Sequence, residues 1–94
     1  MTLNFPNLSR SYDSDRRRIR FWGHDSAMEV PFFLDEDAIF VLYPQTLKTE
    51  AGILAAFDRA RADIFAVAAR VYAPRRQGAV CTLTGDQFSP AASP

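Results

Sequence analysis

From Thr49 to about Ala73 the apolar residues recur every three or four positions. Ile53, Phe57, Ala60, Ile64, Val67, Ala68 and Val71 therefore fall on one face of a 3.6-residue helix. Leu54, Phe65 and Tyr72 lie on an adjoining line that widens this face, while Asp58, Arg59, Asp63 and Arg70 gather opposite. The pattern predicts one long helix with a core side and a water side. Its frequent alanines favour helix and allow close approach by a partner layer.

Upstream the period changes to two. A turn-rich start holds Pro6 and Asn7 between Phe5 and Leu8, two anchors for the terminus. Arg10, Ser11 and Tyr12 then lead into the polar cluster Asp13-Ser14-Asp15 and on to Arg18-Ile19-Arg20-Phe21-Trp22. Ile19 and Phe21 share one face and Arg18, Arg20 and Trp22 the other, as in a half-buried strand after a hairpin turn. Gly23-His24-Asp25-Ser26 reads as the next turn. Residues 27–34 read as a third strand with Met28, Val30 and Phe32 on one side. Pro31 cannot donate to a ladder, which places this strand at a sheet edge or gives it a bulge.

Asp35-Glu36-Asp37 opens an apolar run over residues 38–43 that stops at Pro44. Asp35 as N-cap, acids at the helix start and the closing proline predict a short buried helix; a buried strand is the competing reading. Thr46 or Thr49 is placed to cap the long helix, in whose first turns Gly52 is tolerated. After Ala73 and Pro74, residues 75–78 read as a polar turn, 79–84 as a final strand rich in β-branched residues, and 89–94 as a disordered tail. The order of elements predicts an α+β domain over residues 1–88. Its antiparallel sheet, a three-strand meander plus the C-terminal strand, packs against one long α-helix, with a short helix before it.

Ninety-four residues suffice for a single core. Eleven basic and eleven acidic residues cancel, so no global field draws the chain to nucleic acid or an anionic membrane. A lone cysteine, Cys81, and a lone histidine, His24, make neither an internal disulfide nor the usual zinc site. The start has no basic stretch followed by an apolar core, and no apolar run approaches the roughly 20 residues of a membrane helix. A soluble cytoplasmic protein without membrane contact is expected.

Several stretches together resemble a family of small bacterial proteins described as domain of unknown function 1488. They are Phe5-Pro6, Arg10-Ser11-Tyr12-Asp13, Arg18-Ile19-Arg20-Phe21, Phe33-Leu34-Asp35-Glu36-Asp37-Ala38 and Phe57-Asp58-Arg59. The resemblance implies a small α+β domain in a bacterial cytosol and no activity. Members of that family often carry a polar or cysteine residue near the position of Pro31 and Phe32; this chain departs there, so no role is carried over for that site.

Candidate chemistry is sparse. Arg16, Arg17, Arg18 and Arg20 with Trp22 and His24 form the densest cluster, and an arginine face with an aromatic suits single-stranded RNA. Against this, arginine on an outward strand face is ordinary, Glu29 is placed to pair with Arg18 or Arg20, and net charge is zero. Arg75 and Arg76 would extend the patch if their turn lies close. His24 beside Asp25 lacks a nucleophile, and Cys81 in a strand pattern reads as a small buried hydrophobe. The acidic clusters at Asp13/Asp15 and Asp35/Glu36/Asp37 lack the spacing of a calcium loop and suit turns and caps. No catalytic, cofactor-binding or metal-ligating residue is assigned, and no enzyme is expected. A surplus of aromatic residues over what one sheet and one helix can cover points to self-association or a protein partner, with Arg18, Arg20, Trp22, Phe33, Phe65 and Tyr72 as candidate interaction residues. Coverage by the short helix and the termini is the competing account of that surplus.

Overall fold

The computed structural model describes residues 3–72 and 81–88. The elements run β1 (Leu3–Asn4), β2 (Arg10–Asp13), β3 (Arg18–Asp25), β4 (Met28–Asp35), α1 (Glu36–Leu42), α2 (Glu50–Arg59), α3 (Arg61–Tyr72) and β5 (Cys81–Leu83), followed by a 3₁₀ turn at Gly85–Gln87. The α+β class stands. The meander is present as β2, β3 and β4, paired antiparallel in the order of the chain. The expectation of a wholly antiparallel sheet is corrected, because β5 pairs parallel to β4, Phe32 opposite Cys81 and Leu34 opposite Leu83. Parallel neighbours need a crossover, and the three helices together supply it. The predicted turn at 75–78, the first two residues of the predicted final strand and the tail at 89–94 lie outside the described residues.

The single long helix is corrected to two, and its reason is size. An unbroken helix over 49–73 would be about 37 Å long, whereas an eight-residue strand such as β3 spans only about 26 Å. The chain turns at Ala60 (φ −99°, ψ 10°), whose amide donates to the carbonyls of both Ala56 and Phe57 at 3.0 Å. The Ile64 amide then bonds the Ala60 carbonyl at 2.9 Å and α3 begins. The apolar stripe survives the break. Ile53, Phe57, Ala60, Ile64, Val67 and Ala68 are all buried, against Ile19 and Phe21 of β3, Val30, Phe32 and Leu34 of β4, and Cys81 and Leu83 of β5.

The short run after β4 is a helix, as read, although Asp35 makes no side-chain cap. The Glu36 amide donates instead to the Arg17 carbonyl at 2.9 Å, tying α1 to the loop before β3. The turn expected at Gly23–Ser26 is also corrected. Strand β3 runs on to Asp25, and only Ser26 and Ala27 form the turn, with Ser26 at a φ of 58° as a primed hairpin turn requires. Gly23 is needed for another reason: a Cβ there would lie 2.9 Å from the Phe32 ring and 3.0 Å from the Phe5 ring. Strand β4 lies between β3 and β5 and pairs with β3 from Met28 to Asp35 with no extra residue, which corrects the edge position or bulge expected from Pro31; Pro31 sits opposite Trp22, one residue before the described pairing with β5 begins at Phe32.

Strand β1 was not legible in the sequence. It and β2 lie end to end along the same edge of β3. Between them Phe5 enters the core, its ring stacked on Phe65 with centroids 4.1 Å apart and planes 3° from parallel. At the start of α2, Thr49 Oγ1 accepts from the Gly52 amide at 3.0 Å. Gly52 is more than tolerated. A Cβ there would meet the Leu47 carbonyl oxygen at 2.6 Å and the Leu47 Cβ at 2.9 Å. Gly52→Ala should therefore lower stability by about 1 kcal/mol, the clash outweighing the usual gain in helix propensity. Urea denaturation checks the sign; a stabilised variant would show that the Leu47 backbone yields freely.

Candidate functional site

All three helices contribute to the core on one face of the sheet, while the other face carries Arg18, Arg20, Trp22 and His24 of β3 and Glu29, Pro31, Phe33 and Asp35 of β4. Strand alternation puts them there, since each is a neighbour of a buried residue. The Arg18 guanidinium lies 3.7 Å from the centre of the Phe33 ring and that of Arg20 lies 4.2 Å from Trp22. Each cation thus covers an aromatic face and leaves both rings half-buried. The ion pair expected between Glu29 and these arginines is replaced by another. Register sets Glu29 opposite His24 and Arg18 between Asp13 and Asp35, and Arg18 Nε approaches Asp13 Oδ2 at 3.9 Å.

The other two candidate interaction residues are elsewhere. Phe65 is half-buried beneath Phe5, and Tyr72 is 1% exposed, with its hydroxyl donating to Asp25 at 2.6 Å. Both rings of the second apolar line therefore face the inside of the domain, Phe65 under Phe5 and Tyr72 against Phe32. Arg75 and Arg76 lie outside the described residues. His24 and Cys81 sit on opposite faces of the sheet, which separates the one pairing of histidine and cysteine the chain allows. Among the described residues no group of three or more His, Cys, Asp or Glu side chains is arranged to hold a metal ion.

Two polar arrangements escaped the sequence reading. The first joins β2 to the helix break. Arg10 donates to both oxygens of Asp58 at 2.9 and 2.8 Å, and Arg61 donates to Asp58 at 2.7 Å and to the Leu8 carbonyl at 2.8 Å. Partial burial pushes the Asp58 carboxyl up, but the hydrogen bonds from Arg10 and Arg61 outweigh it and hold the group below its ordinary 3.8. A depressed carboxylate contributes stability above its unfolded value, and that contribution is lost as pH falls through the lower folded value. Asp58→Asn should accordingly be about 1 kcal/mol less stable than the parent at neutral pH. The gap should close below about pH 3.8. Thermal melts across pH 2–7 that kept a constant gap would refute the network's part in acid stability.

The second arrangement is a charged cleft at the carboxyl end of β4. Two hollows of about 390 and 450 Å³ share Arg17, Glu36 and Lys48. Tyr12, Thr49, Glu50 and Ile53 complete one, and Asp37, Phe40 and Pro44 the other. Arg17 ends the loop between β2 and β3 at a φ of 52°. The Tyr12 hydroxyl donates to Glu36 across the cleft, and that bond, with burial and the carboxylate's charge, holds the phenol above its ordinary 10.0. The acids at 35–37 were legible as a helix start, but nothing in the local pattern brings Tyr12, Arg17 and Lys48 to them.

The outer sheet face and the mixed-charge cleft belong to a small α+β domain whose described residues form a mixed five-stranded sheet and three helices. The chain belongs to the family described as Protein of unknown function (DUF1488), whose model matches residues 3–81. No curated protein and no solved structure matches it. Among the described residues no helix is long and apolar enough to cross a membrane.

Proposed function

We propose that this protein is a non-enzymatic interaction protein of the bacterial cytoplasm that pairs with a second copy of itself through the outer sheet face. The observation that supports this is the face itself: Trp22, Phe33 and Pro31 lie in two adjacent strands, uncovered by any described helix, with charges of both signs around them. Asp13 and Asp35 flank Arg18, and Glu29 faces His24 further along the same face. Opposite charges on one face can meet across a two-fold axis, as a self-complementary interface demands. The same charges disfavour nucleic acid, because the acids here outnumber the arginines although the stacked rings and guanidinium groups are of the kind that hold single-stranded RNA.

Trp22→Ala is the test. Light scattering over roughly 1–500 μM should give about twice the 10.6 kDa chain mass for the parent and the monomer mass for a still-folded variant. A parent that stays monomeric throughout would sink the proposal. Salt-sensitive micromolar binding of single-stranded RNA, lost in the double variant Arg18→Ala/Arg20→Ala, would replace it with the nucleic-acid reading.

A further inference from the structure

We propose that the cleft at the carboxyl end of β4 binds a small zwitterion with an apolar body, its anionic end on Arg17 and Lys48 and its cationic end between Glu36 and Glu50. Four separate parts of the chain converge to line it: Tyr12 from β2, Arg17 from the following loop, Glu36 from the start of α1, and Lys48 to Ile53 from the connection into α2. The two hollows adjoin through their shared residues, and each is of the size of a small-molecule site.

The charges in it are not spent on one another. Among the described residues no ion pair joins Arg17 or Lys48 to Glu36, Asp37 or Glu50, although all five line the same cleft. An anion alone would meet the carboxylates and a cation alone would meet the two bases. A molecule with both charges meets a base and a carboxylate at once, which separates it from either half by like-charge repulsion as well as by attraction. Ile53, buried, and Phe40, half-buried, supply an apolar floor for its body. The carboxyl end of a strand that feeds a parallel crossover is also where open sheets leave room for ligands. One carboxylate oxygen of Glu36 is held by Tyr12, which fixes the side chain before anything binds.

L-Leucine is a suitable probe, with 4-methylpentanoate and 3-methylbutylammonium as its two halves at matched ionic strength. In amide NMR titrations of the full chain, leucine should give saturable shifts at Arg17, Glu36 and Lys48 with a millimolar Kd, and each half should bind at least about tenfold more weakly. Arg17→Ala and Glu50→Gln, both at exposed positions, should keep the folded spectrum and weaken leucine by about tenfold each. No saturable shift up to about 50 mM leucine, or equal binding of the carboxylate half alone, would overturn the proposal. The result is independent of the sheet-face pairing, which Trp22→Ala tests without touching the cleft.

Discussion

Phe57→Ala should cost about 3–5 kcal/mol, enough to unfold much of a marginal domain at room temperature. Phe57 is fully buried at the end of α2, where its ring packs 5.3 Å from that of Phe21, centroid to centroid, at a 57° tilt. Truncation removes the apolar area and also leaves a cavity that the neighbours fill only in part. Collapse is resisted there because Phe21 lies in β3 between β2 and β4, and the helix turns just after Phe57, at Ala60. Arg61, whose guanidinium carbon lies 5.1 Å from the centre of the Phe57 ring, would lose that contact as well. Guanidinium denaturation monitored by circular dichroism measures the loss; a change below about 1 kcal/mol would show that the site repacks without a cavity.

Tyr72→Ala should cost a similar amount, about 3–5 kcal/mol, and should act on folding and not on association. The sequence places Tyr72 with Trp22 and Phe33 as an interaction candidate, but the ring lies in the core against Phe32, with centroids 6.1 Å apart and edge to face. Its hydroxyl bonds Asp25 at the end of β3, so α3 is pinned to the hairpin between β3 and β4. Tyr72→Phe should keep the ring and lose only the hydroxyl bond, about 1–2 kcal/mol. Two measurements on each variant separate the roles. Denaturation should give the large loss for Tyr72→Ala and a small one for Trp22→Ala. A Tyr72→Ala chain as stable as the parent but altered in mass would return Tyr72 to the surface.

These two residues mark what period and spacing convey. Along a helix or strand the spacing tells which residues share a face, and this held for Phe57, for Ile19 and Phe21, and for the outward set of Arg18, Arg20 and Trp22. Spacing does not tell what covers a second apolar line. Phe65 and Tyr72 were candidates for a partner because spacing does not show that Phe5 stacks on the one and that Phe32 and Asp25 meet the other. The outer face was legible because alternation is local. The cleft was not, since its lining residues lie up to 41 positions apart, from Tyr12 to Ile53.

By itself, then, the sequence determined the α+β class, the core stripe and the outward arginine face, because each follows from local periodicity, and it favoured a helix over a strand for the apolar run before Pro44. Tertiary structure decided the rest. The helix breaks at Ala60 with neither proline nor glycine there, because the sheet beneath is shorter than the stripe is long. Strand β5 runs parallel to β4 because direction depends on where three helices deliver the chain, and no residue in Cys81-Thr82-Leu83 encodes that. Arg10 and Asp58, 48 positions apart, meet only once β2 lies against α2. Long-range pairings of this kind depend on the path of the whole backbone, to which a local pattern of apolar and polar residues is blind.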